Sequence, residues 1–124
     1  NNISNSFPTD IVIFEEMIFV YESNSSSMLI FSIDGTFQNA FHIEGIEKKS
    51  LVGFDISHNV LFLTSPENNQ IVITDLNGTK IMEVGKFGNK YGEFNYPLDI
   101  IADENKIYVS DAKNYRIQIF ELYK

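Results

Sequence analysis

Three aspartates, Asp10, Asp55 and Asp99, stand 45 and 44 residues apart, each directly ahead of an isoleucine. Carboxylates repeated in this way and gathered on a common axis form a ligand set for calcium, which takes six to eight oxygens from flexible hard ligands. At the start of a strand, the same side chains would also accept amide hydrogen bonds and fix the preceding turn. A second group mixes cations and aromatics: Lys86, Lys90, Tyr91, Lys113 and Tyr115. Ammonium groups beside rings suit an acidic peptide, a glycan or a phosphate-bearing ligand, through charge and stacking. Rings such as Phe87, Tyr91, Phe94 and Tyr96, interspersed with Gly85, Gly88 and Gly92, are also what pins a long loop in place. A third group, Asp111, Asn114 and Arg116, is close enough in sequence to share one hairpin connection, where carboxylate and guanidinium are expected to pair. His42 and His58 lie on different segments and make no metal pair. No nucleophile elbow, phosphate loop or zinc helix occurs, and the absence of cysteine excludes thiol catalysis and cysteine-bound zinc.

These residues are carried by an internal repeat. Pro8 to Phe31 lies over Pro97 to Phe120 at a constant offset of 89 without a gap. Ile18-Phe19-Val20 falls on Ile107-Tyr108-Val109, and Met28-Leu29-Ile30-Phe31 on Ile117-Gln118-Ile119-Phe120. A middle copy supplies Phe54-Asp55-Ile56, Leu61-Phe62-Leu63 and Ile71-Val72-Ile73, so the period is 43 to 46 residues. Within each copy, apolar and β-branched runs separated by polar or glycine-bearing turns read as short strands. They are expected near 9–14, 17–22, 28–33 and 36–43, then 51–57, 60–64, 70–76 and 79–84, then 98–103, 106–110 and 115–122. Asp34-Gly35 and Asn77-Gly78 are expected to form two-residue hairpin turns between the third and fourth strands. Four antiparallel strands per period of this length predict an all-β protein built of β-propeller blades. The boundaries fall at about 5–47, about 48–88 and about 89–124, the third blade lacking its fourth strand.

Gly92-Glu93-Phe94-Asn95-Tyr96-Pro97, followed by Ile107-Tyr108-Val109-Ser110-Asp111 and Asn114-Tyr115-Arg116-Ile117, resembles the NHL repeat. The first two copies depart from its pattern: Glu22 and Ser65 stand in place of the aspartate, and Ser27 and Gln70 in place of the arginine. The resemblance implies a propeller, usually six-bladed, and by itself no chemistry. In such a fold the three aspartates begin the inner strands beside the channel. The lysine and tyrosine group lies on the loop face that usually docks partners. Propeller relatives that act as lactonases or lyases with a channel metal supply the alternative, an enzyme using calcium at Asp10, Asp55 and Asp99. Three blades leave two apolar faces and one strand edge uncovered, so a second copy or further repeats are expected to complete the ring. The edge at 115–122 would accept a partner strand, for which Asn1 to Ser6 is one candidate.

Composition narrows the partners. With a formal charge of −8 and Arg116 as the sole arginine, the chain is a poor match for nucleic acid. No apolar run approaches the roughly 18 to 20 residues that cross a bilayer. A 14.2 kDa chain without cysteine is long enough to bury an ordinary core without disulfides or structural metal. Charge is uneven: residues 1–47 carry −7, 48–91 carry +1 and the remainder −2. The expected function is therefore a non-catalytic interaction and assembly module that binds a protein or glycan and needs no cofactor. The chain starts at Asn1 rather than methionine, as a processed product, a trimmed polypeptide or the ordered part of something longer would. Sequons at Asn2, Asn24 and Asn77 would be glycosylated in a secreted or cell-surface setting.

Overall fold

The computed structural model describes residues 6–122, and the structural statements that follow refer to them. The first sheet is a meander of β1 (Pro8–Phe14), β2 (Met17–Glu22), β3 (Ser27–Ser32) and β4 (Phe37–His42). The second contains β5 (Phe54–Ser57), β6 (Val60–Ser65), β7 (Gln70–Asp75) and β8 (Lys80–Val84). The third is three-stranded, with β9 (Pro97–Asp103), β10 (Lys106–Asp111) and β11 (Arg116–Glu121). All neighbouring pairs within the three sheets are antiparallel. These are the successive blades of a partial propeller. No helix among the described residues is long and apolar enough to cross a membrane. Of the candidate donor strand 1–6, residues 1–5 lie outside the described residues, as does Asn2.

The local chemistry explains two departures from the expected elements. β5 begins at Phe54 rather than near 51, because the backbone just before it is committed elsewhere. The amide of Val52 donates to the Ser50 carbonyl at 3.0 Å, and the Val52 carbonyl accepts the Thr9 hydroxyl at 2.7 Å. The turns at Asp34-Gly35 and Asn77-Gly78 join the expected strands, but they are not two-residue turns. Gly35 donates to the Ser32 carbonyl at 2.8 Å while Ser32 donates to Thr36 at 2.9 Å, and Gly78 with Asp75 and Thr79 repeats the arrangement. Only the glycines take positive φ, 93° and 87°, and each turn is followed by a register shift in its ladder. That is a three-residue loop closed by a glycine bulge. Two-residue turns occur instead at Glu15-Glu16 and His58-Asn59, where both residues of each pair are left-handed.

Strand alternation sends side chains to opposite sheet faces and so builds two seams. In the first, Phe19, Tyr21 and Met28 of the first sheet pack against Ile56, Leu61, Leu63 and Val72 of the second. In the second, Phe62 and Ile71 pack against Ile100, Ile107 and Val109, with Phe94 contributed by the connection between β8 and β9. Leu61 and Leu63 are 0% exposed. Burying a side chain of that size stabilises by roughly 1.5–3 kcal/mol, which makes the middle blade the anchor of the fold. The two outermost faces remain uncovered, with Ile11 62% and Ile117 69% exposed.

Candidate functional site

Two constellations predicted from sequence can be located. The first lies where the inner strands begin. Phe7, Pro8, Asp10, Leu51, Leu98 and Asp99 line an open cleft of about 380 Å³. Gly53 sits at its wall, where an added Cβ would lie 2.5 Å from Asp99 Oδ1 and 2.9 Å from the Leu98 carbonyl oxygen. The absence of a side chain there lets the second and third blades approach.

Each aspartate makes the same local bond. Oδ1 accepts the amide of the following isoleucine, at 2.8 Å for Asp10, 2.9 Å for Asp55 and 2.8 Å for Asp99. The second oxygens of two of them reach forward to the next blade. Asp10 Oδ2 accepts the Phe54 amide at 2.9 Å, and Asp55 Oδ2 accepts the Ala102 amide at 2.8 Å. These are clips between blades, a role not apparent from the sequence because the partner amide belongs to another repeat. Burial raises the carboxyl pKa of Asp99, the Ile100 amide partly offsets this, and the charges of Asp10 and Asp55 add to the rise. Among the described residues, no three of the histidines, aspartates and glutamates are gathered closely enough to hold a metal ion.

The second constellation is a block formed by the connection between β8 and β9 and the turn between β10 and β11. Asp111 is its hub, fully buried, accepting the Asn95 amide at 2.8 Å, Asn114 Nδ2 and Arg116 Nε at 2.9 Å, and Gln118 Nε2 at 3.0 Å. Burial alone would raise its pKa. The bonds from Asn114, Asn95, Arg116 and Gln118 outweigh burial and hold the carboxyl below its ordinary value. Arg116 also donates to the carbonyls of Asn89, Lys90 and Glu93 at 2.8–2.9 Å, so its guanidinium is spent inside the block. Glu22 occupies the equivalent place in the first blade. It is buried and accepts the amides of Phe7, Asn24 and Ser25, and its pKa is lowered because these bonds and the Ser25 hydroxyl outweigh burial. The departure from the repeat pattern at Glu22 thus keeps the hub with a longer side chain.

Four of the five predicted binding residues crown this block. Lys86 is exposed and 3.8 Å from Glu93, while Lys113 places its ammonium 4.7 Å from the centre of the Tyr96 ring. Lys90 is exposed, its amide tied to Glu93 at 3.1 Å. Tyr115 is 94% exposed, with a left-handed φ of 58°. Tyr91 is placed differently: its ring lies 5.0 Å from that of Phe120, and its hydroxyl donates to the Ile119 carbonyl at 3.0 Å, against the outer edge of β11.

A family model for the NHL repeat matches residues 94–120, the stretch that contains the hub and all of β9 and β10. Solved structures match the whole architecture at low identity. A catalytically inactive virginiamycin B lyase from Staphylococcus aureus, solved with quinupristin, is 15% identical with a TM-score of 0.65; the alignment covers 100% of this chain and 45% of that one. Glutaminyl cyclase from Myxococcus xanthus is 9% identical with a TM-score of 0.69, over 98% of this chain and 56% of the other. Hsv2 from Kluyveromyces lactis is 15% identical with a TM-score of 0.65, over 97% and 34%. The chain therefore spans between a third and somewhat more than half of the length of these proteins.

Proposed function

We propose that this propeller segment, whose third blade carries an NHL repeat, is a non-catalytic binding and assembly module. Its loop block docks an acidic protein segment or an anionic glycan. One observation carries the reading. The last residue of the connection between second and third strands is left-handed in every blade: Ser26 at φ 55°, Asn69 at 56° and Tyr115 at 58°. Asparagine tolerates that backbone, whereas other side chains, a bulky ring among them, are disfavoured there by about 1–2 kcal/mol. Tyr115 nevertheless occupies the position with its ring almost wholly in solvent beside Lys113. A strained, exposed aromatic next to a cation on a rigid hydrogen-bonded platform is a stacking surface for a ligand.

Replacing Lys86, Lys90, Lys113 and Tyr115 together by alanine is expected to abolish saturable binding to a panel of sulfated glycans and poly-glutamate peptides. Unchanged binding would reject this face. The second reading, an enzyme with a channel calcium, draws on the two carboxylates, Asp10 and Asp99, in the mostly apolar cleft and on the lyase and cyclase among the similar folds. Calcium would be held by Asp10, Asp55 and Asp99. The fit is poor, because five of their six carboxylate oxygens already accept backbone amides. A calcium titration followed by thermal unfolding separates the readings, a saturable rise in midpoint favouring the metal.

A further inference from the structure

Three buried hydroxyls at one end of the first seam have no hydrogen-bond partner: Tyr21 Oη, Ser23 Oγ and Ser50 Oγ. Their residues are 0%, 0% and 1% exposed. Backbone bonds bring all three under one roof, the connection between β4 and β5. The Ser23 carbonyl accepts the Lys49 amide at 2.7 Å, which sets Ser50 beside the end of β2. Tyr21, two residues before Ser23, packs with Ile43, Ile46 and Val52 of that connection. Ser26 fastens the roof from below, its carbonyl accepting the Ile43 amide at 2.8 Å and its hydroxyl donating to the Ile46 carbonyl at 3.2 Å.

The other two repeats lack this arrangement. Tyr21 corresponds to Thr64 and Ser110, whose hydroxyls accept the amides of Gly53 and Asp99, each at 2.9 Å. Ser23 corresponds to Pro66 and Ala112, and Ser50 to Phe94, none of which has a polar side-chain atom. A buried hydroxyl left unpaired forfeits the bonds it makes to water in the unfolded chain, and three in one place multiply that penalty. Buried water removes it, because one molecule typically makes about three hydrogen bonds to groups of this kind. We propose that Tyr21, Ser23 and Ser50 hold an ordered water molecule between the end of β2 and the connection between β4 and β5. It forms a polar joint between the first two blades, at the place where the second seam uses the Phe94 ring. Burial pushes the Tyr21 hydroxyl up to about 12, the nearby Ser26 hydroxyl moderating the rise without meeting bonding geometry, so Tyr21 enters the site as a neutral donor. The site is enclosed by the first two blades and is independent of the ligand face.

Two measurements on the full chain test the site. Tyr21→Phe and Ser50→Ala each delete one hydroxyl and little else, and each is expected to lower the urea midpoint by about 0.5 M through loss of a bond to the water. The sign decides the matter, because deleting a hydroxyl that truly lacks a partner relieves a penalty and raises the midpoint. Water magnetic relaxation dispersion counts the molecules held for longer than the protein tumbles. The double variant Tyr21→Phe/Ser50→Ala is expected to hold one fewer than the wild type. Midpoints unchanged or raised in the single variants would overturn the inference. So would lowered midpoints with an equal water count in the double variant, which would mean that the hydroxyls bond one another directly.

Discussion

Replacing Asp111 by alanine tests whether the buried carboxylate holds the third blade and its long connection together. The side chain accepts four hydrogen bonds, yet its removal does not strand all four donors. Gln118 Nε2 keeps the Glu93 carbonyl at 2.7 Å, Asn114 keeps the Gly88 carbonyl at 2.8 Å, and Arg116 keeps three carbonyls. What remains is the partly buried Asn95 amide without its acceptor and a guanidinium without its counter-charge. Breaking a buried ion pair from one side costs about 3–5 kcal/mol, and the Arg116 side chain, 30% exposed, recovers some of that from water. A loss of about 3 kcal/mol is therefore expected, read as a urea midpoint lowered by about 1–2 M for a chain of this size. Asp111→Asn should do little better, since its amide nitrogen would meet donors where the carboxylate met them as an acceptor. A loss under about 1 kcal/mol in the alanine variant would mean that the pair behaves as a solvated surface bridge, refuting its role as a hub.

The remaining predictions concern acid, strain and the axial carboxylates. The folded pKa values of Asp111 and Glu22 are depressed, so their stabilisation is fully present above the unfolded values of about 3.9 and 4.3 and is lost as pH falls through the folded ones. Asp99, with its raised value, has the opposite sign, its penalty being relieved on acidification. Urea unfolding at stepped pH should show stability falling below about pH 4; flat stability down to pH 2 would contradict the two hubs. Tyr115→Asn should stabilise the fold by about 0.5–1 kcal/mol in thermal melts while weakening ligand capture, and a destabilised variant would mean the ring has a structural partner. Asp99→Asn keeps the local acceptor for Ile100 and removes a repelling charge, so the single chain should be as stable or more so. A loss of more than about 1 kcal/mol in urea unfolding would mean that the charged carboxylate makes a contact the amide cannot replace.

Much of the fold was legible because it is written in short-range patterns. The offset of 89 that superposes Ile18-Phe19-Val20 on Ile107-Tyr108-Val109 places the same strands that the structure contains. The Asp111–Arg116 pair was legible for the same reason, both residues flanking one turn. What escaped the sequence depends on relations between repeats. The bonds from Asp10 to the Phe54 amide and from Asp55 to the Ala102 amide cannot be read from either repeat alone. That the exposed Tyr91 also anchors to β11 is likewise a relation between distant segments, because the connection that carries it folds back over the third blade. Composition places the turns at Gly35 and Gly78 but does not distinguish a two-residue loop from the three-residue loop with a bulge that forms there.

The two seams are unequal: the first gathers eleven buried residues and the second six, so apolar cohesion declines towards the third blade. In a row of nearest-neighbour units, the weakest junction sets where partial opening begins. The third blade should thus peel away as a cooperative piece before the other two part, its amides exchanging with solvent first, and what delays that departure is chiefly polar stitching rather than grease.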